Sequence, residues 1–437
     1  MHWGVLRHFF PGFVGWLKAI RDPRVHPGKC TFPIEYVLML ALLMHCGQCG
    51  SRRRLGRELK GGRLSGNVWR MVGRAACTVA CHTDTMNGVM EALEPARLEE
   101  LIAAVFSQLR RGRALDRFRF DGRLTAAIDG AKILSFGAQH CPHCLHQTQD
   151  GVTRYFHYVL AAKIVTPCGL VVPLAFEFIE NPEGDYDKQD CEIKAWRRLA
   201  AKIQALYPRL KLTVVGDGLY AEETTFTVCE QAGWNVIVTL PNDKLPSVTA
   251  QLPAELGQWS GSRTQRQQTP ETGWRQTTVH WQTPVRYHGE IMHVIEMEEL
   301  DEEGNRTYYN RWITNVKPSW ANAIELAQTG RLRWRIENEG TNTQKNGGYE
   351  MEHAYGRNRN AWKNYYLLLQ ISQLLNDLVR FGDLIQKAAR DPTASFAAVF
   401  ETIKDFAMWL FRCLVERTPD FDSPPLGGAF QVRLARC

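Results

Sequence analysis

The sequence predicts a mixed α/β protein: an all-helical N-terminal region, then a sheet-centred core interrupted by a β-rich insertion. Three observations predict it. Apolar residues up to about position 115 recur at helical spacing, and the next stretch reads β-β-β-α-β-α-β. Residues 242–311 are rich in Gln, Thr, Arg and Trp, with two-residue alternation. A chain of 437 residues suffices for two or three units around one large core. With 44% hydrophobic and 23% charged residues it has the balance of a folded chain, which argues against disorder.

Residues 1–115 form the predicted helical region. The strongly apolar run 36–46 is too short to span a bilayer and reads as a buried helix. Between positions 86 and 109, Val89, Leu93, Leu98, Leu101, Ile102, Val105 and Leu109 keep a helical period. Thr83 or Asp84 is expected to cap that segment, and Pro95 to divide it. The first part of the core, 116–241, carries strands expected at 124–128, 156–165, 170–178, 212–215 and 235–240. Helices are expected at 190–207 and 222–232. The insertion, 242–311, reads as an antiparallel unit. The core resumes over 312–385, with a strand at 309–314 and helices at 320–345 and 364–381. Residues 386–437 are expected as a helical tail, a candidate for dimerisation.

The formal charge is +7, and its distribution says more than its size. Arg52, Arg53, Arg54, Arg57, Lys60, Arg63, Arg70 and Arg74 face a single acid, Glu58. A second run holds Arg110, Arg111, Arg113, Arg117, Arg119 and Arg123, opposed by Asp116 and Asp121. Such runs are an electrostatic footprint for phosphate, or else two solvated helix faces. The N-terminus lacks a continuous apolar stretch and a small-residue cleavage site, so the twelve cysteines are expected as thiols in a cytoplasmic protein.

Asp129 closes the first predicted core strand, and Asp217, between two glycines, closes the fourth. Acids at strand ends lie on the rim of an open sheet, where such sheets carry their chemistry. Neighbouring carboxylates there can share a hard divalent cation, or can simply form turns. A third acid on a nearby helix would complete a two-metal site for phosphodiester chemistry. Glu337 and Glu339 both lie on the helix expected at 320–345, pointing to different faces.

The string Arg333-Trp334-Arg335-Ile336-Glu337 resembles the third-carboxylate segment of bacterial insertion-sequence transposases of the DDE class. In many of these it reads Tyr-x2-Arg-x3-Glu-x6-Lys. Arg333 and Glu337 match; the Tyr position holds Gly330 and the Lys position Gln344, with Lys345 one place later. Three ordered blocks carry the resemblance, AIDGA, VGDGLY and RWRIENEG, together with the stretch NEGTNTQKNGGYEMEH; it covers residues 84–381. It implies an RNase H-like fold with a mixed five-stranded sheet. It also implies Asp129, Asp217 and Glu337 as ligands of two Mg²⁺ or Mn²⁺ ions, with Glu337 preferred over Glu339 because the whole string sits with it. It further implies that the acids from Glu180 to Glu192 are not ligands; Asp190 and Glu192 are expected to open a helix, where acids suit the dipole.

The expected activity is cleavage at transposon ends and strand transfer into target DNA, by a homodimer acting on double-stranded DNA in the nucleoid. Arg333, Arg335 and Lys345 would hold phosphates at the site, and Arg52, Arg53, Arg54 and Arg57 the terminal DNA. The rivals are an RNase H-fold nuclease that does not join, an inactive domesticated DNA-binding relative, and a two-carboxylate glycosidase, which would leave the arginine runs unexplained. No phosphate loop is present, and exchange of one phosphodiester for another needs no nucleotide.

Two further clusters stand out. Cys141 and Cys144, with His140 and His146, are candidate ligands of a structural zinc; the alternative is a polar hairpin with free thiols. His157 and His353 are assigned no role. Trp259, Trp274 and Trp281 alternate with Arg263, Arg266, Arg275 and Arg286, either to stack on a base or clamp a DNA end, or to fill the insertion's own core.

Overall fold

The computed structural model describes residues 2–269, 273–419 and 432–434. Seven helices open it: α1 (His2–Phe9), α2 (Phe13–Ala19), α3 (Ile34–Cys46), α4 (Arg52–Leu59), α5 (Arg63–Met71), α6 (Thr83–Ala92) and α7 (Pro95–Arg111). Pro95 starts α7, where its missing N–H and fixed φ suit a first helical turn. The cap of α6 is neither expected residue: His82 accepts the Asp84 N–H through Nδ1.

There follow β1 (Leu124–Phe136), β2 (Leu145–Gln149), β3 (Val152–Val165), β4 (Val171–Ile179), α8 (Glu192–Leu206), β5 (Leu212–Gly216), α9 (Glu223–Gln231) and β6 (Asn235–Thr239). After a short α10 (Pro246–Thr249) come β7 (Gly261–Thr269), β8 (Gly273–Tyr287), β9 (Glu290–Leu300) and β10 (Arg306–Thr314). The strands form one mixed ten-stranded sheet, ordered β2-β3-β1-β5-β6-β10-β9-β8-β7, with β4 also on β3. Within it β4, β3 and β1 are antiparallel neighbours, while β1, β5 and β6 run parallel.

The insertion is therefore not a separate unit. β10 pairs with β6 (Trp312 opposite Thr239, Ile313 opposite Val238), and β9, β8 and β7 continue the sheet outward. The first strand is also longer than the apolar run suggested. It continues past Asp129 to Phe136, with a bulge between Lys132 and Leu134, because β3 supplies partners along that whole length.

The polypeptide then forms α11 (Ala323–Arg331), α12 (Arg333–Arg335), a π-helical segment (Ile336–Asn342), α13 (Thr343–Asn346) and α14 (Arg359–Arg380). The helix expected at 320–345 is thus interrupted by a wide turn. α15 (Leu384–Ala389), α16 (Phe396–Val399) and α17 (Ile403–Glu416) follow.

Every residue of α14 from Ala361 to Val379 is buried, so this helix is the axle of the molecule. It packs on α3, α6, α7 and β4. Its polar side chains satisfy the carbonyls that helix ends leave open. Asn364 donates to Met90 O and Leu93 O at the end of α6, and Asn376 donates to Cys46 O at the end of α3. The N-terminal helices therefore share one core with the sheet rather than standing apart. The C-terminal tail joins them: Asn67 of α5 donates to Leu414 O and Arg417 O beside α17. No helix among the described residues is long and apolar enough to cross a membrane.

Candidate active site

The parallel pairing of β1 with β5 ends at Ala127 opposite Val215. Asp129, inside β1, and Asp217, one residue past the end of β5, each lie two residues further on, so the register sets them side by side. Asp217 begins a short 3₁₀ turn and accepts the Leu219 N–H at 2.9 Å. The flanking glycines are required by space. A Cβ on Gly218 would stand 2.4 Å from Pro241 Cγ, and one on Gly216 3.0 Å from the Tyr220 ring.

Burial pushes the Asp129 carboxyl up to about 7. The Arg333 guanidinium opposes that rise, while the charges of Glu192, Asp217 and Glu337 add to it. Glu337 thus lies near enough to act on Asp129. Glu339 is turned elsewhere: it ion-pairs with Arg335, and its side chain lies against the Gly169 turn. The two faces expected for these acids are therefore distinct, with Glu337 on the side of Asp129. Arg333 is buried and hydrogen-bonds Glu337 at 3.4 Å.

The π segment sets which side chains of this stretch face inward. Ile336, Gly340 and Gln344 are buried at intervals of four. The adjacent row, Glu337, Thr341 and Lys345, has the same interval and so shares one face. Eight residues here span what seven span in an α-helix, since a π turn holds one residue more. Gln344, at the expected lysine position, points inward and donates to Gln370 and Gln373. Lys345 is partly exposed and pairs with Glu352 at 2.8 Å.

Two charged residues were missed as parts of this site. Glu192 does open α8, as expected for a dipole-matched acid, yet its carboxylate also reaches the strand beside Asp129. It accepts hydrogen bonds from Tyr158 at 2.7 Å and Tyr220 at 2.8 Å. A Cβ on Gly130 would meet Glu192 Cδ and Tyr158 Oη at 2.6 Å, so a side chain there would displace the Glu192–Tyr158 pair. Lys163 is fully buried on the same sheet face, next to Gly340. Burial drives its ammonium pKa down, and drives that of buried Asp377 on α14 up, each tempered by the other's charge. A lysine inside the apolar run FHYVLAAKIV was the available signal for it.

The arginines divide by role. Arg52 donates to Tyr355 O at 2.6 Å and pairs with Asp84, so it ties α4 to the core. Arg53, Arg54 and Arg57 are exposed on the outer face of α4. Of the second run, Arg117 donates to Leu434 O, Arg119 pairs with Asp116, and Arg123 donates to Gly233 O. A cleft of about 750 Å³ is lined by Arg117, Arg119, Arg331 and Arg335 with Tyr308 and Trp334. In the insertion, Trp259 and Trp281 are buried and belong to the molecule's continuous hydrophobic core, whereas Trp274 is exposed. Arg263 stacks on exposed Trp320 rather than on any of the three.

The cysteine cluster is rearranged relative to expectation. His146 is exposed, its backbone N–H and carbonyl held by Gln189. His157, from β3, takes its place beside Cys141 and Cys144. Sequence spacing could not show this, because His157 is brought there by the β1–β3 pairing that sets it opposite Leu134.

A scan against protein-family models finds no match, and a search of curated proteins finds none either.

Proposed function

We propose that this chain is a DDE-type DNA transposase, in which Asp129, Asp217 and Glu337 hold two Mg²⁺ or Mn²⁺ ions. The observation that carries the reading is the convergence on Asp129: Asp217 lies beside it just past the β1–β5 pairing, and the charge of Glu337 reaches it from the π-helical segment. The strand order β4-β3-β1-β5-β6, antiparallel then parallel, supports an RNase H-like core.

The residues fit the ions. Hard oxygen donors suit Mg²⁺ and Mn²⁺, and the buried Asp129 carboxyl, held toward its protonated form by burial and by the neighbouring acidic charges, would take a cation in a proton's stead. When bound, two such ions supply activation of the attacking oxygen and charge stabilisation of the leaving one. The rest falls to the protein. Arg333 holds Glu337 toward Asp129 and limits the negative charge there. Glu192, fixed by Tyr158 and Tyr220, keeps the wall beside Gly130 rigid and negative. Lys345, on the Glu337 face, lies where it can leave Glu352 for a DNA phosphate. Arg53, Arg54 and Arg57 present exposed charge to the duplex. Water attacks the phosphodiester at the transposon end, and the freed 3′-OH attacks a target phosphodiester. Each step breaks one P–O bond and forms another. A homodimer holding paired ends belongs to the same proposal.

The test is cleavage and joining of labelled DNA carrying the sequences that flank the coding region, with Mg²⁺ or Mn²⁺. Wild type should cut and join. Cutting without joining would replace this reading with a nuclease, and binding alone would replace it with a DNA-binding relative.

A further inference from the structure

We infer that Cys141, Cys144, His157 and His140 form a structural zinc site that fastens the β1–β2 connection to the sheet, independently of the transposase reading. Cys141 Sγ lies 3.6 Å from Cys144 Sγ, and His157 Nε2 lies 3.8 and 3.9 Å from the two sulfurs. A tetrahedral zinc with Zn–S of about 2.3 Å and Zn–N of about 2.0 Å has edges of roughly 3.8 Å between sulfurs and 3.6 Å between sulfur and nitrogen. The three observed separations match that tetrahedron to within a few tenths of an ångström. They do not match a disulfide, whose S–S bond is about 2.0 Å. A ring nitrogen of His140 lies within 4.8 Å of the Cys141 and His157 ligand atoms, in a trio without Cys144, so His140 would close in by a small side-chain movement to supply the fourth ligand.

Both imidazoles are held before any metal arrives. His157 stacks on Trp362 at 4.6 Å and 17°, and His140 stacks on Phe136 with the same separation and angle. His157 Nδ1 has no hydrogen-bond partner, so the ring is held by the Trp362 stack, by edge contacts with Phe136 and His140, and by its Nε2 approach to the sulfurs. The other two histidines of the motif are excluded. His143 bonds Asn181 O at 2.9 Å and Glu183 at 3.2 Å, and His146 is exposed.

Two thiolates and two imidazoles make a closed, soft-to-borderline donor set, which favours zinc over the hard cations of the carboxylate site. The site is also separate from that one. On β3, His157 is four residues from Ala161, the partner of Asp129, or about 13 Å at ~3.3 Å per residue. Its role follows from what it joins. The loop residues His140, Cys141 and Cys144 would be bound to β3, and through Trp362 to the start of α14. The adjoining Asn181 bridge to Cys144 O and the Glu180 pairs with Arg359 and Lys363 continue the same seam.

The test is the zinc content of the full-length protein purified without chelator, followed by Co²⁺ substitution. Wild type should hold about one zinc per chain, and its Co²⁺ form should show thiolate charge-transfer absorption and strong tetrahedral d–d bands. Cys144→Ser and His157→Ala should abolish both, while His146→Ala keeps them. Because the first two variants lose buried groups, His140→Ala provides the independent check. It should remain folded by circular dichroism and bind zinc about tenfold more weakly or worse. Folded wild type without zinc or cobalt binding would overturn the inference. So would loss of metal in His146→Ala with retention in His157→Ala, or unchanged affinity in His140→Ala.

Discussion

Replacing Asp129 by Asn should stabilise the protein at alkaline pH and not at acid pH. Asn keeps the shape of the side chain and removes the charge. The folded-state pKa is raised, from 3.8 to about 7, chiefly by burial. Stability from the protonated carboxyl is therefore fully present below the unfolded value and is lost as pH rises through about 7. At ~1.4 kcal/mol per pH unit, the whole loss is at most about 4 kcal/mol. Integrated between pH 5.5 and 8 it is about 2 kcal/mol, and solvent on the open side of this partly exposed group reduces that to roughly 1–2 kcal/mol. For a chain of this length 1 kcal/mol corresponds to about 1 °C in Tm. Thermal melts of wild type and Asp129→Asn, without divalent metal, should therefore diverge by about 1–2 °C as pH rises from 5.5 to 8, in favour of the variant. Adding Mg²⁺ at pH 8 should raise the wild-type Tm and close the gap. A difference that does not change with pH, or that grows toward acid, would refute the reading of Asp129 as a buried carboxyl whose charged form the fold disfavours.

Other perturbations separate the residues. Glu337→Ala should lower metal-dependent DNA cleavage by about 10²-fold or more, as measured by gel assay, while Glu339→Ala stays within about tenfold of wild type; the reverse ranking would shift the third carboxylate by two residues. Combined Arg53→Ala, Arg54→Ala and Arg57→Ala should reduce the slope of log affinity for duplex DNA against log salt by about 2–3 without altering the melt, and an unchanged slope would remove α4 from the DNA interface. Gly130→Ala should destabilise by about 1–3 kcal/mol in urea titration, because its Cβ would overlap Glu192 and Tyr158. A neutral result would mean that Glu192 is free to move.

Local patterns made part of this legible. The strands around Asp129 and Asp217 announced themselves as short apolar runs ending in acid and glycine, and the helix at 86–109 as a 3.6-residue period broken by Pro95. What depended on pairing between distant segments did not show. No local signal says that β10 returns to β6 and makes the insertion part of one sheet, or that α14 is wrapped by helices from the other end of the chain. Glu192 was read correctly as a helix opener, but its place beside Gly130 comes from the crossing of α8 over β3, which sequence does not display. The cysteine cluster was legible in part: His140, Cys141 and Cys144 lie on one local stretch, whereas His157 comes to them from the neighbouring strand.

The central claim is that Asp217 is a metal ligand, and a change of metal tests it most directly. Asp217→Cys replaces a hard oxygen donor by a softer sulfur, which binds Mg²⁺ poorly and Mn²⁺ better. Wild type should cut transposon-end DNA with either ion. Asp217→Cys should be inactive in Mg²⁺ and regain activity in Mn²⁺, by about tenfold or more over Asp217→Ala under the same conditions. Equal activity of Asp217→Cys in the two metals, or Mn²⁺ activity no greater than that of Asp217→Ala, would contradict metal ligation by Asp217.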